Sequence, residues 1–242
     1  MKTNEDNGIS LDYFYRNKVK VYQNIKGYRF SVDSPILADF IPESEENAIE
    51  VGSGSGIISL LVLHKKKIPF ITGIEVQKKL FELSKKSIVE NNMAEKFNVI
   101  NADFNEIYDK FSGIKTIFSN PPYLQTNIGH LSTDPEIRKA KFEIVLKLSE
   151  LIRKSYKILG EKGSLFLILP FTRYEELTAI SKSTGFHMAK LRRVLSFKDG
   201  KPERFLIQLT NYESSFSEIS PLVIYKTPGT YSEEMEKIFS GR

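Results

Sequence analysis

The pattern that most constrains the fold is a short apolar segment that runs into a glycine-rich turn and then into an apolar helix. Ala48–Val51 has the composition of a buried strand, residues 52–56 read Gly-Ser-Gly-Ser-Gly, and Ile57–Leu63 is apolar throughout except for Ser59. Glycines at alternate positions let backbone approach a bound molecule closely and can leave amide groups at a helix start free to bind it. We therefore predict a ligand-binding strand–turn–helix unit here.

Beyond this unit, the apolar pattern alternates between strand and helix. The run at 165–169 is typical of a strand buried on both faces. The last third predicts a hairpin, Met188–Phe197 and Arg204–Leu209, joined through Asp199 and Gly200. Such alternation indicates an α/β protein whose mostly parallel sheet is covered on both faces, with the terminal hairpin antiparallel. The other predicted strands are 70–76, 97–100 and 116–118, and the other predicted helices are 35–40, 77–91, 136–159 and 174–183, with Gly160 as the stop of the long helix.

The start of the chain has weaker signals. Residues 1–11 are polar enough to suggest a loose tail, and residues 12–23 mix aromatic, Asn and Lys residues without clean periodicity. They lack the apolar core of a signal peptide, and no apolar stretch approaches the roughly 20 residues of a membrane span. The default expectation is a cytoplasmic protein.

Length and composition exclude several classes of site. A chain of 242 residues, 40% of them hydrophobic, can close one core, so we expect a single domain over 1–242 and favour a monomer. The absence of cysteine excludes disulfides and thiolate metal sites, and the three histidines lack ligand-spaced partners, so we expect no metal. The net charge of +5 favours a phosphate-rich partner without requiring one.

Carboxylates follow the first three strands of the predicted sheet. Glu50 lies just before the glycine turn, Glu75 ends the second strand, and Asp103 follows the third. Taken singly, a carboxylate of this kind can be an ordinary strand-terminal residue in a turn, and a glycine triplet can be a flexible strand-to-helix turn. Together they would line one crevice, which suits ribose hydroxyls and a sulfonium cation better than a polyanionic dinucleotide. We therefore favour S-adenosyl-L-methionine over NAD as the cofactor.

The segment Ser119-Asn120-Pro121-Pro122-Tyr123 after the fourth strand is the most specific feature of the chain. An exocyclic NH2 group is a poor nucleophile because its lone pair is delocalised. The amide oxygen of Asn120 and the carbonyl of Pro121 could accept both of its hydrogens, and Tyr123 offers a flat face for stacking. Two prolines hold the backbone and remove competing donors. These residues predict methyl transfer to a planar amine.

This Asn-Pro-Pro-Tyr segment, together with the glycine turn, resembles the amino-methyltransferase group of class I methyltransferases. The resemblance implies a Rossmann-like class I methyltransferase fold with a seven-stranded sheet. It implies a catalytic group of Asn120, Pro121, Pro122 and Tyr123, and cofactor contacts from Glu50, Gly52, Gly54, Gly56, Glu75, Asp103 and Asn120.

A more specific resemblance, to the bacterial tRNA1(Val) adenine-37 N6-methyltransferase family, spans nearly the whole chain. It is carried by residues 23–33, 138–143, 221–225 and 229–232. It implies that Phe30 and Asp33 cover the cofactor, that residues 1–44 extend over the cofactor and substrate side, and that the substrate is an adenine of tRNA. The chain departs from the family pattern at Lys141 and Phe142, where Arg-His is common. Phosphate contacts implied by the family and the charge are Arg138, Lys139, Lys141, Arg192, Arg193 and Lys198, with Lys201 and Arg204 nearby.

Two alternatives stay open. One is another amino-methyltransferase, acting on a protein glutamine or on a different nucleic-acid amine. The glutamine enzymes carry a helical domain before the glycine turn, for which the stretch here is too short. The guanine enzymes usually carry Phe where this chain has Tyr123. The other is an RNA-binding module that keeps the fold without catalysis.

Overall fold

The structure, a computed structural model, describes residues 8–25, 31–65, 67–122 and 146–241. Its strands in chain order are β1 (Ile9–Phe14), β2 (Val19–Asn24), β3 (Ala48–Val51), β4 (Ile71–Glu75), β5 (Phe97–Asn101), β6 (Ile114–Ser119), β7 (Leu159–Pro170), β8 (His187–Leu195), β9 (Pro202–Thr210), β10 (Ser217–Val223), β11 (Tyr225–Thr227) and β12 (Thr230–Tyr231). Its helices are α1 (Asp33–Phe40), α2 (Ile57–His64), α3 (Lys78–Glu90), α4 (Phe104–Ile107), α5 (Leu148–Ile158), α6 (Tyr174–Thr184) and α7 (Glu233–Ser240). Within the described ranges, no helix has the length and apolar character needed to cross a membrane.

The central sheet has the strand order β10-β8-β9-β7-β6-β3-β4-β5. Strands β3 to β7 run parallel, whereas β9 pairs antiparallel with both β7 and β8. The predicted mostly parallel sheet with an antiparallel terminal hairpin is therefore confirmed.

The predicted number of seven strands is wrong, because β10 adds an eighth at the edge, parallel to β8. Its sequence, Ser-Glu-Ile-Ser-Pro-Leu-Val, contains Pro221 and lacks apolar alternation. The pairing register shifts between Ile219 and Leu222, around the proline. Proline is tolerated in an edge strand or at such an irregularity, since one missing donor costs little there.

Helices cover both faces of this sheet. On β7, Phe166 and Ile168 belong to the core shared with α1, α2, α3 and α7, whereas Leu165, Leu167 and Leu169 belong to the core shared with α5 and α6. Alternate side chains of a strand point to opposite faces, so an uninterrupted apolar run fills both cores.

The prediction of a segment without regular structure is wrong for residues 9–24, because β1 and β2 form an antiparallel hairpin that packs on α3. Residues 1–7 lie outside the described residues. Val19 and Val21 are fully buried, and the Tyr22 amide donates to the Ser87 hydroxyl at 3.0 Å. Lys20 also pairs with Glu90, at 2.7 Å. Val19 and Val21 alternate with Lys20 and Tyr22, a period-two pattern that signals a half-covered strand, although the helix that covers it is distant in sequence.

The predicted long helix 136–159 also needs correction. Residues 136–145 lie outside the described residues, and α5 begins only at Leu148, because Lys147 has extended backbone with ψ 139°. At its other end, Leu159 and Gly160 belong to β7. Gly160 does not stop a helix; a side chain there would meet the Gly113 backbone at 2.9 Å.

Candidate active site

The strand order places the candidate residues at one edge of the sheet. β3 lies between β4 and β6, so the chain passes to one side of β3 for β4 and β5 and to the other for β6 and β7. In such a sheet, ligands bind beyond the carboxyl ends of the strands at this switch point. The loops that follow Val51, Glu75, Asn101 and Ser119 all emerge at this edge.

The glycine turn has the backbone shape that requires glycine. Gly52, Gly54 and Gly56 have φ values of +72°, +57° and +84°. Their three amides are used within the protein, by the Ile74 carbonyl, the Glu75 carboxylate and the Ser53 carbonyl, each at 2.8 Å. The glycine amides themselves therefore hold the shape of the turn.

The space around these glycines differs along the turn. A Cβ built on Gly52 meets no atom of the described protein within 4 Å, so this part of the turn faces open space. A Cβ on Gly56 would lie 2.7 Å from the Ser84 hydroxyl and 2.9 Å from the Phe97 ring. Gly52 thus leaves room above the turn, while Gly56 permits close packing below it.

Glu50 lies beneath the turn instead of lining the crevice. Its side chain is 1% exposed, and its Oε2 accepts hydrogen bonds from the amide and the hydroxyl of Ser59 in α2. Its Oε1 has no hydrogen-bond partner among the described residues. Burial raises the pKa of Glu50 to about 8, so at neutral pH the group is largely a neutral acid that anchors the first turn of α2.

Because its pKa is raised on folding, Glu50 stabilises the protein fully below pH 4.5, its ordinary pKa, and this contribution falls as the pH rises towards 8. We expect Glu50→Gln, which mimics the neutral acid, to flatten the decline and to raise the free energy of unfolding near pH 7 by on the order of 3 kcal/mol. Urea unfolding of both proteins between pH 5 and pH 8 measures this. Parallel pH profiles would contradict a buried neutral Glu50.

Glu75 is positioned by backbone donors. Its two oxygens accept from the amides of Gly54 and Gln77, both at 2.8 Å, and burial raises its pKa. Each carboxylate oxygen keeps a second lone pair for another donor. The Asn101 side chain, which sequence reasoning missed, donates to the Glu75 and Val76 carbonyls and holds the end of β4. The sequence signal that could have identified Asn101 is its position at the end of the next strand, in register with Glu75.

Asp103 lies two residues beyond the end of β5 and caps α4. Its Oδ1 accepts from the Asn105 amide at 2.8 Å. It is half-buried on the loop next to Val76, which is itself 40% exposed. The loops after β4 and β5 therefore bring an apolar side chain and a carboxylate to the crevice.

The Asn-Pro-Pro segment lies beside the glycine turn. The Ser119 hydroxyl donates to the Val51 carbonyl at 2.6 Å, which joins the end of β6 to the residue before Gly52. Asn120 is half-buried, Pro121 buried and Pro122 exposed. Tyr123 lies outside the described residues. The Asn-Pro-Pro segment therefore begins directly beside the residue that precedes the glycine turn.

Asp33 begins α1 and is 1% exposed, and its Oδ1 lies 2.7 Å from Nε of Arg204 in β9. Arg204 is aligned with Pro170 at the end of β7, so the pair stands at the same edge of the sheet as the crevice. Phe30, the other residue expected to cover the cofactor, lies outside the described residues.

Arg204→Met is expected to lower the free energy of unfolding by about 3 kcal/mol, because a buried carboxylate loses its guanidinium partner. Arg193→Met is the matched control: its pair with Glu218, at 3.0 Å, is exposed on both sides and is worth less than about 1 kcal/mol. Denaturant unfolding of both variants tests this. Equal losses would show that the Asp33 pair contributes no more than an exposed one.

The expected phosphate contacts fall into three groups. Arg138, Lys139 and Lys141 lie outside the described residues. Arg192 and Arg193 are paired with Glu234 at 2.6 Å and Glu218 at 3.0 Å, so a phosphate must compete with a carboxylate there. Lys198 is exposed in the turn between β8 and β9. In the described part of the chain, no group of three or more His, Cys, Asp or Glu residues could hold a metal ion.

Solved structures share this fold at low sequence identity. A crystal structure of a predicted O-methyltransferase from Agrobacterium tumefaciens superposes with a TM-score of 0.67 and 16% identity, over 86% of this chain and 96% of that chain. The M. jannaschii TYW2 structure in complex with AdoMet gives a TM-score of 0.57 and 11% identity, over 86% and 87%. At such identities the likeness concerns the fold alone.

Relatives closer in sequence carry a common name. Proteins from Christiangramia forsetii and Parabacteroides distasonis, both called tRNA1(Val) (adenine(37)-N6)-methyltransferase, are each 26% identical to this chain. The first match covers 80% of each protein, and the second covers 93% of this chain and 95% of the relative. The model of the methyltransferase small domain family matches residues 28–187, which include β3 to β7, the glycine turn and the Asn-Pro-Pro segment. The chain belongs to the methyltransferase small domain family.

Proposed function

We propose that this protein transfers a methyl group from S-adenosylmethionine to the N6 amino group of an adenine in tRNA, at position 37 of tRNA-Val. The observation that carries the proposal is the hydrogen bond from Ser119 to Val51, because it holds an amine-binding segment beside the glycine turn. The substrate is supported by the relatives that bear this name, which match up to 93% of the chain at 26% identity.

The crevice fits such a cofactor. Gly52 opens into free space, the Glu75 oxygens keep lone pairs for ribose hydroxyls, and Val76 offers an apolar surface to a purine beside Asp103. The M. jannaschii neighbour is in complex with AdoMet, which supports the same choice. When bound, S-adenosylmethionine supplies an electrophilic methyl group, and its sulfur keeps the electrons of the broken bond.

The protein's part in the reaction is to position the amine. The side-chain oxygen of Asn120 and the carbonyl of Pro121 accept the two N–H hydrogens of the target, which draws the nitrogen lone pair out of the ring. Orienting the nitrogen for in-line attack contributes most, because displacement at a sulfonium needs no proton shuttle beforehand. The attack leaves the methylated nitrogen with a positive charge, and it then loses one proton to water. An enzyme of this kind needs no catalytic His or Cys.

The remaining residues support the same assignment. We propose that the chain forms a single domain over 1–242 in which residues 1–44 extend over the cofactor side. Two contacts of described residues support this: β2 packs on α3, and Asp33 pairs with Arg204 at the crevice edge of the sheet. We assign phosphate contacts first to Lys198, because Lys198 is exposed, whereas Arg192 and Arg193 are each paired with a carboxylate. A tRNA substrate also makes the cytoplasm the proposed compartment.

A transfer assay tests the proposal. Purified protein is incubated with methyl-labelled S-adenosylmethionine and separate tRNA, DNA and protein pools, and the labelled nucleoside is identified by mass spectrometry. We expect N6-methyladenosine in tRNA and nowhere else. Label found only in protein would replace the proposal with a glutamine methyltransferase. No cofactor binding in calorimetry, with RNA still bound, would favour a non-catalytic RNA-binding module.

A further inference from the structure

The turn between β8 and β9 presents an aromatic ring at the crevice edge of the sheet. β8 ends at Leu195, which is aligned with Pro202, and the adjoining Arg204 is aligned with Pro170 at the carboxyl end of β7. Phe197 in this turn is 41% exposed. The turn is tight, since the Gly200 amide donates to the Phe197 carbonyl at 2.9 Å.

This exposed ring is supported from behind by a row of aromatic side chains. The Phe197 ring lies 5.8 Å from Tyr225, which stacks on Tyr231 at 5.2 Å, and Tyr231 lies 4.8 Å from Phe239. The Tyr225 amide donates to the Ser196 carbonyl at 2.9 Å, so the row is joined to the turn through the backbone. Such support holds the ring in place, which reduces the entropy cost of stacking a ligand on it.

Exposed lysines lie in the same turn as this ring. Lys198 and Lys201 lie in the turn, and within the described ranges neither forms an ion pair. The acidic neighbours are Asp199 and Glu203, and Glu203 is paired with Arg204 at 3.2 Å. An exposed aromatic among lysines is the combination that binds unpaired nucleotides, by stacking on the base and neutralising the phosphates.

We propose that Phe197, supported by Tyr225, stacks on an unpaired base next to the adenine that is methylated, while Lys198 and Lys201 contact the adjoining phosphates. In the sheet order, β8 is three strand spacings from β6, or about 14 Å. That separation places the ring outside the Asn-Pro-Pro segment but on the same edge, so it takes a neighbouring nucleotide and not the target. This inference rests on the proposed tRNA substrate.

Methylation kinetics with Phe197→Ala and Phe197→Tyr test the inference. The matched control is Phe216→Ala. Phe216 is 52% exposed, but it precedes β10 and therefore lies at the amino-terminal ends of the parallel strands, on the side of the sheet away from the crevice. We expect Phe197→Ala to raise the KM for tRNA about tenfold, with the KM for S-adenosylmethionine unchanged. Phe197→Tyr and Phe216→Ala should behave like the parent protein. Equal KM values for Phe197→Ala and Phe216→Ala would overturn the inference.

A fluorescence titration reads the stacking directly, because the chain contains no tryptophan. Phe197→Trp and Phe216→Trp each carry a single reporter and are titrated with an anticodon stem–loop RNA and with a blunt RNA duplex. We expect the stem–loop alone to quench the reporter at 197, and neither RNA to quench the one at 216. Quenching by both RNAs, or by neither while a gel shift shows binding, overturns the stacking role.

The two proposals fail in different ways. If the parent protein methylates no tRNA, the proposed function is wrong and the stacking site falls with it. If the parent methylates tRNA and Phe197→Ala behaves like the parent and the Phe216 control, the function stands and the stacking site alone is rejected.

Discussion

Replacing Asn120 with alanine is expected to lower kcat/KM for methyl transfer by roughly 10²- to 10³-fold, the range seen when one positioned hydrogen-bonding group is removed from an active site. The reason is geometric: the Ser119–Val51 hydrogen bond holds this segment at the glycine turn, and in the proposed mechanism Asn120 supplies one of two acceptors for the target amine. Cofactor affinity should change little, because Glu75 and the glycine turn remain. Steady-state kinetics and calorimetry with S-adenosylmethionine measure the two quantities.

Asn98→Ala is the matched control for this variant. Asn98 lies on β5 and is exposed, so its loss removes the same side chain away from the crevice. We expect it to retain the parent's kcat/KM. Substantial activity in Asn120→Ala, or an equal loss in both variants, would remove Asn120 from its proposed role.

Gly56→Ala is expected to lower the free energy of unfolding by about 2 to 5 kcal/mol. Its φ of +84° costs an L residue about 1 to 2 kcal/mol. The added methyl group would lie 2.7 Å from the Ser84 hydroxyl and 2.9 Å from the Phe97 ring, and overpacking of this kind costs about 1 to 3 kcal/mol more. Urea unfolding at constant pH measures the loss.

Gly52→Ala is the informative counterpart to that variant. Its φ of +72° carries a similar strain, but the new methyl group meets no described protein atom within 4 Å. We therefore expect a stability loss of only about 1 to 2 kcal/mol, together with a large loss of S-adenosylmethionine affinity because the methyl group enters the crevice. If Gly52→Ala kept full affinity, the cofactor would not approach this part of the turn.

The elements that could be predicted from sequence are those with a strong local pattern. β3, the glycine turn and α2 follow each other without a gap, and their bounds agree with the structure to within one residue. The hairpin β1–β2 and the edge strand β10 were missed, because the alternation in β1 and β2 is short and mixed with aromatic and amide residues and β10 contains a proline. They are held by α3 and by β8 respectively, whose contributions do not appear in the local sequence.

The same division applies to the site. The sequence by itself determined the reaction class. Its glycine-rich turn and its Asn-Pro-Pro segment each follow a predicted strand, and this chemistry needs those residue types at those spacings. The structure adds that all three glycines have positive φ. Only the tertiary structure decided that Glu50 is a buried neutral acid and that Asp33 pairs with Arg204, which is 171 residues further along the chain. Burial and ion pairing depend on which distant segments meet, and no local pattern of residues carries that information.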